Sequence, residues 1–217
     1  MKTSPLPILL FSISLIWSIF ISIGAYNNSD TNNTLFQFHP PLMSFGFFFF
    51  LHSGILSFVD NLNRTIHIIL QTLGSICIFA GFLIVIIAKT LANETHFKTS
   101  HSVIGLCAII GVFIQFISGL FKIKFNNIYL KQHGGFGIFT FLLGISSLLI
   151  ACTVYLCGNI TIPDIKGTYT CKDSDYDSMR YSVTLVLCAF FTIMLYINFP
   201  RSKNLNVFNN SEVYRNF

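Results

Sequence analysis

Six stretches of this chain run for about twenty residues on almost nothing but apolar side chains, and stretches of that length admit few folds. They are Leu6–Tyr26, His39–Val59, Thr65–Ala88, His101–Phe121, His133–Cys157 and Tyr181–Phe199. A hydrocarbon layer about 30 Å thick takes about 20 residues at 1.5 Å each, so each stretch reads as a membrane-spanning α-helix. The expected architecture is an all-α integral membrane protein, with six transmembrane helices in a single membrane domain over residues 1–217 and no soluble domain. Composition agrees: 10% of residues are charged, against roughly 25% in soluble domains. The formal charge of +5 is spread over helix ends and not gathered in one patch, which argues against a nucleic-acid partner.

The first stretch has the basic start and apolar body of a signal peptide. At about 20 apolar residues it exceeds the usual 7–15 of a signal core, so a retained helix is expected, with cleavage as the alternative. Basic residues set the orientation. With the N-terminus on one side, that side receives Lys2, Arg64, Lys122, Lys124, Lys131, Arg201, Lys203 and Arg215, eight in all, while the other receives five. The positive-inside rule then puts both termini in the cytosol. The sequons at Asn27, Asn32, Asn93 and Asn159 fall on the opposite, exoplasmic side, and those at Asn63 and Asn209 on the cytosolic side. Of the six cysteines, Cys77, Cys107, Cys152 and Cys188 lie inside apolar runs and read as small packing residues. Cys157 and Cys171 flank a polar loop and can pair as a disulfide if that loop is exoplasmic.

Four consecutive stretches open on a histidine: His39, His67 (two residues in), His101 and His133. Helices that alternate in direction put His39 and His101 near the exoplasmic face, and His67 and His133 near the cytosolic face. Each face therefore receives two histidines from parallel helices, and neutral imidazoles approaching from opposite sides are good axial ligands for haem iron. Gly46 and Gly74 lie seven residues after His39 and His67, and Gly105 and Gly137 four after His101 and His133. Each shares its histidine's helix face. These glycines leave room for a flat macrocycle or else allow close helix packing.

The order His39-Pro40-Pro41-Leu42-Met43-Ser44, then His67 with Leu70-Gln71, then His101-Ser102 with Gly105, then His133 with Gly137, resembles the cytochrome b-561 family. The likeness spans nearly the whole chain, and the short transmembrane reductases with a b-561 domain are the nearest branch. Each motif is weak alone. The four histidines in order, separated by 28, 34 and 32 residues, are specific together. The resemblance implies that helices two to five form a four-helix core holding two haem b groups, His39 paired with His101 and His67 with His133. It further implies transmembrane electron transfer from cytosolic ascorbate to a ferric chelate or monodehydroascorbate on the exoplasmic side, and a tendency to form homodimers.

An anionic donor at the cytosolic face needs cations. Arg64, three residues before His67, and Lys131, two before His133, are the candidates, with plain membrane anchoring as the other reading. On the exoplasmic side His96 and Lys98 precede His101 and can meet an anionic chelate, or simply belong to a solvated loop. The chain lacks the extended basic and aromatic cluster that well-characterised ascorbate reductases carry before this histidine. His52, an ionisable residue inside a span, asks for a role of its own. It lies 13 residues after His39 on the same helix, about 20 Å along it, so a hydrogen-bonding or cavity role fits better than haem ligation.

A transporter or channel that uses membrane histidines for proton or metal transfer is the alternative function. It would favour charged residues deep in the spans, and these spans hold none away from their ends. A structural partner protein gives no reason for ligand-grade residues at four helix starts. No GxGxxG motif opens a soluble βαβ unit, which argues against a directly bound nicotinamide donor.

Overall fold

In the computed structural model the chain is described over residues 5–27, 35–59, 64–125 and 133–155, and all regular structure there is helical. Helix α1 is Pro5–Asn27. A 3₁₀ turn, Phe36–Phe38, leads into α2, His39–Met43. The backbone then continues without a break through wider π-helical turns, Ser44–Leu51, into α3, His52–Val59. Helices α4 (Arg64–Leu91), α5 (Ser100–Phe125) and α6 (His133–Tyr155) complete the order. Helix is what the apolar runs demand, since backbone polar groups in hydrocarbon must be satisfied within their own segment.

Among the described residues four helical stretches are long and apolar enough to cross a membrane: Phe36–Ser57, Arg64–Leu91, Ser100–Ile123 and His133–Cys152. They coincide with the second to fifth expected spans. Helix α1 covers the first expected span, with a shorter apolar stretch at Ile8–Gly24. The sixth expected span, the Cys157–Cys171 pair and Lys131 lie outside the described residues.

The four spanning stretches pack as two groups. Helices α1 and α4 embrace the α2–π–α3 rod, and α5 lies along α6. Ser18 on α1 donates to Ser44 O at 3.3 Å, tying α1 to the first wide turn. The rod and α4 approach so closely that a Cβ on Gly46 would sit 3.2 Å from Gly74 O, and one on Gly74 would sit 3.1 Å from Gly46 O. These two glycines therefore serve helix packing, as small residues do where apolar helices meet in lipid; they leave no space for a macrocycle. The two groups join where the Phe47 ring fills the place of a Gly144 side chain. Phe48, Ile78, Ala108 and Phe141 are buried there, while Ile8, Leu83, Phe113 and Phe139 turn outward, as lipid requires.

Candidate functional site

Local chemistry places each histidine. Pro40 and Pro41 follow His39 in the first turn of α2, where a missing N–H costs nothing. The α4–α5 connection is fixed at both ends. Asn93 takes φ 54°, Asn93 N donates to Thr90 O at 3.2 Å and Glu94 N donates to Lys89 O at 2.9 Å, the hydrogen-bond pattern of a Schellman C-cap. At the start of α5, Thr99 N donates to Ser102 Oγ at 3.0 Å and Ser102 N to Thr99 Oγ1 at 3.2 Å. This reciprocal cap holds His101 in the first turn.

At one end of the bundle His39 and His101 face each other, ring centroids 6.4 Å apart and planes at 85°. Two metal–nitrogen bonds of about 2 Å each, plus half a ring on either side, come to a similar span. His39 Nδ1 lies 3.0 Å from Gly81 O on α4, and His101 Nδ1 lies 2.9 Å from Ser147 O on α6. The Phe36 ring stacks on His39 at 5.7 Å. At the opposite end His67 Nδ1 lies 2.8 Å from Gly54 O on α3, and His133 Nδ1 lies 3.0 Å from Ser118 Oγ on α5. Each of the four rings thus meets an acceptor on a neighbouring helix through Nδ1. A ring that donates there carries its lone pair on Nε2, the nitrogen then available to ligate a metal.

His67 and His133 share a cavity of about 200 Å³, into which Gln71, Gln115, Arg64 and Lys122 also face. Gln115 donates to His133 O at 2.8 Å and Gln71 to Leu51 O at 3.2 Å. Arg64, three residues before His67, thus lines this cavity. Of the exoplasmic candidates, His96 folds back onto α4, its Nε2 3.3 Å from Thr90 Oγ1, and Lys98 stands exposed in the same connection.

The remaining two glycines lie against polar side chains of the neighbouring helix. A Cβ on Gly105 would lie 3.0 Å from Ser147 Oγ, and one on Gly137 3.3 Å from Gln115 Nε2. They admit the polar side chains that surround His101 and His133. His52 lies buried at the junction of the two helix groups, sandwiched between Phe48 (6.0 Å, 10°) and Phe141 (5.6 Å, 8°). It serves as a layer in an aromatic stack.

Sequence reasoning passed over Gln115, Ser118, Ser147 and Lys122. Gln115, a lone amide in an apolar span, carries a readable signal; Lys122 bears in the sequence on orientation alone. Among the described residues no three His, Cys, Asp or Glu side chains gather as a metal cage. Paired imidazoles suit instead a metal whose other ligands arrive with it.

A protein-family model described as eukaryotic cytochrome b561 matches residues 38–157. The chain is also similar to the transmembrane reductase CYB561D2 of Homo sapiens, 28% identical over 167 residues, covering 69% of this chain and 73% of the relative. The same-named proteins of Mus musculus (29% over 155 residues; 64% and 68%) and Bos taurus (28% over 167 residues; 69% and 73%) match the chain in the same way.

Proposed function

The chain belongs to the eukaryotic cytochrome b561 family, and from that premise we propose that it carries electrons across its membrane on two b-type haems, from cytosolic ascorbate to an acceptor on the other face. Membership makes it a multi-pass membrane protein of electron transfer, and its similarity to transmembrane reductases supports an oxidoreductase. The finer reading has His39 and His101 holding the exoplasmic haem and His67 and His133 the cytosolic one, within a core formed by the second to fifth helices of six. The acceptor is a ferric chelate or monodehydroascorbate, and both termini are cytosolic.

One observation carries this reading: His39, His67, His101 and His133 each have Nδ1 against an acceptor on a neighbouring helix. These bonds set the tautomer, hold each ring at its angle and make Nε2 a better donor. The 6.4 Å ring separation at the His39–His101 end fits two imidazoles on one iron. Bound haem supplies the reversible one-electron chemistry. The protein's part is to present four imidazoles, to keep water from the junction with Phe47, Phe48 and Phe141, and to attract the donor. For the last task Arg64 and Lys131 supply positive charge, joined by Lys122, which faces the same cavity as Arg64. A charged guanidinium binds an enediolate anion bidentately, and salt should weaken the attraction.

The test is a pyridine haemochrome assay on the purified protein, followed by optical spectra as ascorbate is added. Two haems per chain and rapid reduction are expected. A protein without haem would overturn the reading; haem that ascorbate leaves oxidised would overturn the donor alone.

A further inference from the structure

Three of the four histidines meet a peptide carbonyl at Nδ1: Gly81 O for His39, Gly54 O for His67 and Ser147 O for His101, whose Nδ1 also lies 3.1 Å from Ser147 Oγ. His133 meets a side chain instead, Ser118 Oγ at 3.0 Å. A serine hydroxyl has one proton to give. Here it goes to Gln115 O, three residues back on α5, at 2.9 Å, with Gln115 Oε1 farther off at 3.4 Å. With its proton on Gln115 O, Ser118 offers His133 a lone pair, the direction that leaves His133 Nε2 free for a metal: His133 Nδ1–H donates to Ser118, and Ser118 donates to Gln115. Gln115 Nε2 closes the circuit by donating to His133 O at 2.8 Å. Two backbone segments and one hydroxyl thus hold the ring, and the hydroxyl is the part that touches Nδ1.

We infer that Ser118 is a positioning residue that sets the reduction potential of the haem at the His67–His133 end, through the hydrogen bond it accepts from His133. The inference rests on the haem reading above. Density drawn toward Nδ1–H by its acceptor makes the imidazole a stronger donor to iron and favours the ferric state; a weaker acceptor favours the ferrous state. At His39, His67 and His101 a backbone carbonyl accepts at Nδ1, at His101 beside Ser147 Oγ, and no side-chain substitution removes that carbonyl. At His133 the acceptor is one oxygen on one replaceable residue.

Full-length protein, purified with its haem and titrated in a spectroelectrochemical cell, should show two one-electron components. His133→Ala identifies the component of this end by removing it. Ser118→Ala is expected to shift that component to higher potential and leave the other in place. Ser118→Cys, whose sulfur is a weaker acceptor of similar size, should shift it the same way by less, and serves if the alanine variant does not retain its haem. Ser147→Ala removes an Oγ that lies 3.1 Å from His101 Nδ1 but keeps Ser147 O at 2.9 Å, so it is expected to leave the His67–His133 component in place and to move the other by less than Ser118→Ala moves its own. Wild-type protein without haem would overturn the underlying reading. Two wild-type components that stay unshifted in the Ser118 variants, or that move together, would overturn this inference alone.

Discussion

The two ends of the bundle present the same pair of imidazoles in different surroundings. At the His39–His101 end a short, capped connection runs between α4 and α5, with Asn93 in the left-handed region, a Lys89–Glu94 ion pair at 3.4 Å and a reciprocal cap at Thr99 and Ser102. Both Nδ1 atoms there rest on backbone carbonyls, with Ser147 Oγ also 3.1 Å from that of His101. At the His67–His133 end a cavity of about 200 Å³ brings in two amides and two cations, and one Nδ1 rests on a hydroxyl. The paired imidazoles are therefore shared, and what distinguishes the two ends lies around the rings. Charge and polarity at one end favour a small anion; the other end offers backbone-fixed turns, with Lys98 and half-buried His96 beside them.

The largest effects should fall on the histidines themselves. His39→Ala or His101→Ala is expected to remove one haem, and His67→Ala or His133→Ala the other, read by haemochrome content and by which component disappears from the redox titration. A variant at one end that empties both sites would break the division into two ends. Next comes the junction between them. His52→Ala opens a hole in the Phe48–His52–Phe141 stack and should cost about 2–4 kcal/mol in thermal or denaturant unfolding, while His52→Phe keeps three stacked rings and costs less. Equal losses would show that stacking is not what His52 contributes.

Removing the cations sharpens the contrast in access. Arg64→Ala together with Lys122→Ala should raise the apparent KM for ascorbate about tenfold, the size of one charge-assisted hydrogen bond, with kcat little changed and the salt dependence flattened. An unchanged KM would move the donor away from this cavity. The smallest effect belongs to the capped end. Thr99→Ala removes a helix cap and should lower stability by about 1 kcal/mol, with hydrogen exchange rising in the first turn of α5 and the His67–His133 spectrum unaltered.

Much of this arrangement can be read from residue order. Long apolar runs leave helix as the only economical backbone state in lipid, and four histidines at helix starts stand out against such runs. What surrounds them does not stand out. Gly54, Gly81 and Ser147 act through their carbonyl oxygens, a group every residue possesses, so no side-chain type marks the position. Gly46 and Gly74 share a helix face with the histidines, but the same spacing serves two backbones in contact, and the close approach of their carbonyls selects that use. The π-helical turns over Ser44–Leu51 run through four successive phenylalanines, Phe47 to Phe50. An apolar run of that kind looks the same at any helical pitch. Ser118 and Ser147 resemble the other serines of the spans until the partner helix is in place.

The grouping of the helices bears on how such a protein is made. His39 and His67 belong to the first group, and His101 and His133 to the second. Each pair draws one member from either side of the α4–α5 connection. During synthesis the N-terminal group emerges and can settle first, yet at that moment it holds only half of each proposed ligand pair. On the proposed pairing, cofactor capture waits until α5 and α6 have entered the membrane and closed against the rod. Loading would then report complete assembly, and a chain halted after α4 would offer a quality-control system two unmatched imidazoles to detect.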